Sequence, residues 1–180
     1  MRKSNKEAAE TRRAIIAVAA DQIRRTGVAE TSLSDIMSGA GLTHGGFYKH
    51  FRNKEQLVSE ALETAGDTTA EQVRATRLSD GRDAAIASYL STAHRDAPTP
   101  TCPMAALGSE AARADGETKA AATHVIEKMV GALADHPDSR GDAMVDYATM
   151  IGAMTLARIL SDSPLSDEIL ERARDRLKQR

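Results

Sequence analysis

An all-α fold is predicted by three observations. Apolar residues recur at three- and four-residue spacing along most of the chain, Ser, Thr and Asn stand where such runs begin, and no stretch alternates as a strand would. The 180 residues suffice for one or two small domains and a substantial core.

Residues 1–6 are polar and basic, and they read either as a frayed tail or as an arm in which Arg2, Lys3 and Lys6 follow a nucleic-acid backbone. Glu7 to Thr26 is the first helix, with Ile15, Ile16, Ala19 and Ile23 on one face and Gly27 ending it. Arg12 and Arg13, near its start, read as phosphate contacts or as part of a solvated charged face.

A second, short helix begins at the cap Ser32, with Asp35 in capping-box position and Leu33, Ile36 and Met37 on its buried side. It stops at Gly41, where Gly39 and Gly41 permit a tight turn anchored by Leu42, and Thr43 caps a new helix starting at His44. That is helix-turn-helix spacing. The third segment, HGGFYKHF, is a poor helix former, because each glycine costs about 1 kcal/mol relative to Ala. Gly45 and Gly46 make sense if this segment enters a DNA major groove, where small residues let the backbone approach bases and phosphates. Phe47 and Phe51 share a buried side, while Tyr48, Lys49 and His50 lie outward or at the edges. Asn53 caps the next helix with Gln56 in capping-box position, which leaves Lys54 in a first turn that favours anions. Ser32, Thr43, His44, Gly45, Gly46, Tyr48, Lys49, His50 and Lys54 are the DNA-binding candidates, with Thr43, Tyr48, Lys49 and Lys54 forming a phosphate clamp.

The helix from Glu55 runs past Leu57, Val58, Ala61, Leu62 and Ala65 before Gly66 to Thr69 weaken its pattern. A helix over Asp83–His94 follows, then a break at Ala97 to Pro103, since three prolines in six residues cannot share one helix. Further helices span Ala105–Ala114, Glu117–Ala134, Asp142–Leu160 and Leu165–Leu177, with a turn at His136-Pro137-Asp138.

Charge divides along the same line. Residues 1–60 hold 10 Lys/Arg against 7 Asp/Glu and residues 61–180 hold 14 against 19, so the positive end carries the helix-turn-helix pattern. One cysteine excludes an intramolecular disulfide, the polar N-terminus lacks an apolar signal core, and the uncharged run Tyr147–Ala157 falls short of the ~20 residues needed to cross a bilayer. A soluble cytoplasmic protein is expected. No catalytic constellation is found, and no metal or cofactor is implied, because the five histidines do not cluster with one another or with Cys102 and no Gly-rich loop follows a strand. His94 and His124 read as surface or capped histidines, or as parts of a cavity wall.

The residues Ala40, Gly41, Leu42, Thr43, Gly45, Phe47, Tyr48, Lys49, His50, Phe51, Lys54, Glu55 and Leu57 resemble the DNA-binding domain of the TetR family of bacterial transcriptional regulators. Ile23, where that family commonly has an aromatic residue, and Asn53, where it has Ser or Pro, keep the apolar volume and the capping chemistry. The resemblance covers the first third of the chain. It implies a helix-turn-helix domain over residues 1–54 and a helical effector-binding and dimerisation domain over 55–180, joined by the helix after Glu55. It implies a homodimer on a palindromic DNA operator, acting as a repressor released by a small-molecule effector or by modification of a cysteine, with a ligand-independent activator or nucleoid-associated protein as the alternative.

The dimer implied by the family pairs the last two long helices as a four-helix bundle. Met144, Ala148, Ile151, Gly152, Thr155, Leu156, Ile159, Ile169, Leu170, Ala173 and Leu177 are its candidates. Tyr89, Cys102, Met104, Leu107, Met129, Tyr147 and Met150 are the candidate effector contacts, with plain core packing as the other reading of the methionines. Cys102 reads either as a buried small hydrophobe or as a thiol made reactive by the helix start beside it. Some members of the family with a similar Cys-Pro-Met-Ala-Ala-Leu stretch resemble sensors of electrophiles or oxidants.

Overall fold

The computed structural model describes residues 5–179, and every regular element among them is helical. Arg2 and Lys3 lie outside the described residues. Helix α1 spans Asn5–Thr26, α2 Leu33–Gly39, α3 Lys54–Asp80, α4 Arg82–Tyr89, α5 Thr92–Arg95, α6 Pro103–Arg113, α7 Gly116–Leu133, α8 Arg140–Ile159 and α9 Pro164–Lys178. Two 3₁₀ turns, His44–Lys49 and Pro137–Ser139, stand between α2 and α3 and between α7 and α8. None of these helices is long and apolar enough to cross a membrane.

Helices α1 and α2, the first 3₁₀ turn and the start of α3 close over Ile15, Ile23, Ile36, Phe47 and Leu57, all with no exposed surface. Asn53 accepts from the Gln56 backbone N–H at 2.8 Å and starts α3. The expected weakening at Gly66 does not occur: α3 continues for 27 residues. The reason is packing. A Cβ at Gly66 would lie 2.4 Å from Cγ2 of Val125, so glycine here brings α7 against α3. An ion pair from Asp67 to Lys128 and a contact of 3.3 Å from Glu63 to the His124 ring flank that approach.

The single helix expected over Asp83–His94 is instead two. It breaks at Leu90, and Ser91 restarts it by accepting from the His94 N–H at 3.1 Å. Pro103 sits in the first turn of α6, where its missing N–H costs nothing, so the proline-rich segment ends in a helix start at Cys102. Helices α8 and α9 pack side by side on α4 and α7. Arg82 anchors this corner through Asp146 at 2.6 Å and the Leu177 carbonyl at 3.0 Å.

Gly66→Ala is expected to lower stability by about 1–3 kcal/mol through overpacking, against a helix-propensity gain of about 1 kcal/mol. Thermal melts of Gly66→Ala, Val125→Ala and the double variant check this. The double variant should lose less than the sum of the two singles; an unchanged melting temperature in Gly66→Ala would contradict the close approach.

Candidate nucleic-acid interface and interior cavity

The turn after α2 is fixed by backbone hydrogen bonds. Gly41 adopts φ +70°, its N–H donates to the Ser38 carbonyl at 2.9 Å, and the Leu42 N–H donates to the Met37 carbonyl at 2.8 Å. This is a Schellman closure, and Leu42 packs back on the core as such closures require. It sets the angle at which His44–Lys49 projects. That segment is 3₁₀ where the sequence predicts an α-helix, consistent with two glycines at its start and the tighter winding tolerated over short runs.

Phe47 is wholly buried and stacks on Phe51, with ring centroids 5.5 Å apart. The Tyr48 ring meets Phe47 edge-on at 5.2 Å and is 69% exposed. Thr43, His44, Gly45 and Lys49 are exposed beside it. Gly45 has a φ that any residue adopts, and a Cβ there would meet nothing within 4 Å, so no contact within the chain explains a glycine at this position. Gly46 leans on Met37, where a Cβ would find ordinary contact at 3.6 Å.

Four predicted contacts take roles inside the chain. The Lys54 ammonium donates to the Val28 carbonyl at 2.8 Å, so it ties the start of α3 to the α1–α2 turn and does not stand free beside Tyr48. Ser32 caps α2, accepting from the Asp35 N–H at 3.0 Å. His50 is half-buried, and its carbonyl accepts from Arg12 Nε at 3.2 Å. Thr43 holds the N-cap backbone geometry without the expected side-chain cap. Arg12 is a strut: it pairs with Glu60 at 2.5 and 2.6 Å and lies 4.6 Å over the Phe51 ring. Arg52, which no sequence pattern singles out, is exposed and pairs with Glu117 at the start of α7 at 2.6 Å.

Helix α1 is also held from the other side. Thr99 Oγ1 donates to Asp21 at 2.7 Å, Arg24 donates to the Thr101 carbonyl at 3.2 Å, and Glu110 on α6 accepts from the Val28 N–H at 3.0 Å. The loop carrying Cys102 and the helix it starts are thus fastened to the unit that presents Tyr48.

A cavity of about 280 Å³ opens between α3, α4 and α5, lined by Thr69, Val73, Tyr89, His94 and Thr101 among others. Tyr89 is the one predicted effector contact on its wall. Cys102, Met104, Leu107, Met129 and Met150 do not line it and are buried in the core. Cys102 has no exposed surface, and its sulfur lies 3.6 Å from Tyr147 Oη. Burial, then the neighbouring Cys102 and Tyr147, push the Tyr89 hydroxyl well above its ordinary pKa. Burial likewise raises Tyr147. Burial holds His94 below the usual imidazole value; its hydrogen bond to the Tyr89 carbonyl at 2.7 Å opposes this, and the Arg158 charge adds to it. Arg158 carries no sequence motif, although it follows Met154 by four residues and so falls on the inward face of α8.

The outward face of α7, α8 and α9 exposes Ile126, Met144, Val145, Leu156, Ile159 and Leu165, each between 43 and 73%. Met144, Ala148 and Ile151 line an apolar groove there, with Tyr147 at its base, and Gly152 is exposed beside it. Thr155, Ile169 and Ala173 are half-buried. Leu170 and Leu177 are 2% exposed and belong to this chain's own core, a correction to the predicted dimer surface. No group of three or more potential metal ligands occurs among the described residues.

Residues 15–61 match the family model described as bacterial regulatory proteins, tetR family. The HTH-type transcriptional regulator TtgR of Pseudomonas putida is 40% identical over 83 residues, which span 46% of this chain and 40% of that protein. AcrR of Shigella flexneri, also an HTH-type transcriptional regulator, is 41% identical over 70 residues, 39% of this chain and 33% of its own length. The match thus spans about two fifths or less of these relatives. A TetR transcriptional regulator from Chloroflexus aurantiacus superposes with a TM-score of 0.73 at 28% identity, covering 96% of this chain and 94% of its own. NemR of E. coli in its reduced form superposes with a TM-score of 0.76 at 23% identity, over 94% and 96% of the two chains, and shares the fold.

The lowered pKa of His94 has a definite sign. Below the ordinary imidazole value of about 6.5 the unfolded chain takes up a proton that the folded chain resists, so stability is lost as pH falls from there toward the folded value. His94→Gln should therefore show a smaller drop in melting temperature than wild type between about pH 7.5 and 5.5. Parallel pH profiles would contradict the buried neutral imidazole.

Proposed function

We propose, from the premise that this chain belongs to the TetR family of bacterial regulatory proteins, that it is a sequence-specific DNA-binding transcriptional regulator. It works as a homodimer on a palindromic operator and represses until a small molecule, or modification of Cys102, releases it. The observation that carries this reading is the 3₁₀ segment: an exposed Gly45 without an internal reason to be glycine, beside an exposed Tyr48 whose ring meets Phe47 and an exposed Lys49. Close backbone approach with flanking phosphate donors is what major-groove entry demands.

The apolar groove and exposed side chains of α7 to α9 support pairing with a second copy through α8 and α9. Two such copies would present their reading segments about 34 Å apart. Release has a physical route. A change around the loop at Thr99 to Cys102 pulls on Asp21 and Arg24 of α1, and a shift of α6 pulls on Val28 through Glu110. A ligand acts by favouring the arrangement with the wrong separation between reading segments. Because Cys102 is buried, its modification requires that loop to open first.

In vitro selection from a random duplex pool tests the reading, with recovery of a palindrome whose half-sites lie about 10 bp apart as the expected result. Gly45→Val should fold and dimerise as wild type does yet recover no such sequence, while Tyr48→Ala should weaken binding to all duplexes about equally. A Gly45→Val variant that selects the wild-type palindrome would remove the groove-entry role.

A further inference from the structure

Behind the cavity wall stands a group of buried hydrogen-bonding atoms that the chain does not satisfy. Tyr89 is 4% exposed and its Oη has no hydrogen-bond partner of normal geometry; Arg158 Nε and Nη1 and His94 Nε2 are likewise buried and unpaired. These groups adjoin one another. The Tyr89 and His94 rings meet edge-on at 4.6 Å, Arg158 Nη2 donates to the His94 carbonyl at 3.2 Å, and Arg158 lies within electrostatic reach of Tyr89 and Cys102.

No acidic side chain forms an ion pair with Arg158 among the described residues, and burial pulls its pKa below the ordinary guanidinium value. A guanidinium so placed is expensive unless a negative charge meets it. Arg95, one residue after His94, makes the contrast: its charge is met by Asp96 and Asp167. His94 spends Nδ1–H on the Tyr89 carbonyl, and so the unpaired set consists of one imidazole acceptor against donors on Tyr89 and Arg158. Tyr89 and His94 line the cavity of about 280 Å³, with Arg158 one layer behind them on the His94 carbonyl; the cavity is near the low end of small-molecule sites, and Val73, Ala85 and Ala97 supply apolar wall.

We propose that this cavity and the donors behind it bind a compact organic anion, whose carboxylate accepts from Arg158 and Tyr89 while its apolar body rests between α3 and α4. The inference rests on the regulator reading above, since it names the chemical class of the effector. The same site lies against the loop fastened to α1, because Thr101 both lines the cavity and accepts from Arg24.

Isothermal titration calorimetry at fixed ionic strength, with benzoate and hexanoate against benzamide and hexanamide, tests it. Each carboxylate should bind wild type about tenfold or more tightly than its amide, as expected for hydrogen bonds to a charged partner. Arg158→Gln should erase that preference, and Arg158→Lys should keep part of it. Tyr89→Phe, a smaller change to the fold, should weaken the carboxylates and leave the amides unmoved. Equal binding of acid and amide, or no binding of any of the four to wild type, overturns the proposal and makes the cluster a hydrated one only. Fluorescence anisotropy on operator DNA separates the two readings. A carboxylate that binds at this site but leaves the DNA complex unchanged keeps the site and removes its role as effector pocket, whereas failure of wild-type protein to bind DNA at all counts against the regulator reading alone.

Discussion

The contact on which the rest depends is the packing of α3 against α7 at Gly66 and Val125. Helix α3 begins within the helix-turn-helix unit, where Leu57 and Val58 are buried with Phe47, and it ends beside the cavity, where Val73 and Thr76 form the wall. One unbroken helix therefore belongs to both halves. Were Gly66 to carry a side chain, α7 would stand off and both the cavity and the groove on α7 and α8 would change shape. The exposed segment at Tyr48 and the buried group at Arg158 are set in a common frame by that single close approach.

A second constraint runs parallel to the first. Helix α1 forms the back of the helix-turn-helix unit and is fastened to the loop before α6 by Asp21 and Arg24, and to α6 itself by Glu110. Arg52 and Glu55 add a connection to the start of α7. The two halves thus meet through charged and polar contacts around α3, and such contacts exchange partners at lower cost than a packed core does.

Much of this is legible in the sequence. The all-α class, the tight turn at Gly41, the Asn53 cap and a helix start after the prolines all follow from local rules, because caps, turns and periodicity are encoded within a few residues. What is not legible depends on distant contacts. Gly66 reads as a weak point because the residue that needs it, Val125, lies 59 positions away. The tie from Lys54 to the α1–α2 turn is not legible because its partner is a backbone carbonyl at Val28, 26 positions away. The methionines and Cys102 read as cavity wall, whereas the helices close over them; Leu170 and Leu177 read as dimer surface because a helix with two apolar edges does not declare which one faces its own core. Arg158 escapes notice for the opposite reason, since a charge on an inward face stands out only once the face is known.

Whether the exposed 3₁₀ segment reads DNA sequence is tested most directly by fluorescence anisotropy of the purified chain with the duplex flanking its own gene, at two salt concentrations and with non-specific DNA as competitor. The expected result is binding that resists competitor and weakens steeply as salt rises, because Lys and Arg contacts displace counterions from the phosphates. Binding that competitor abolishes at both salt concentrations would contradict it.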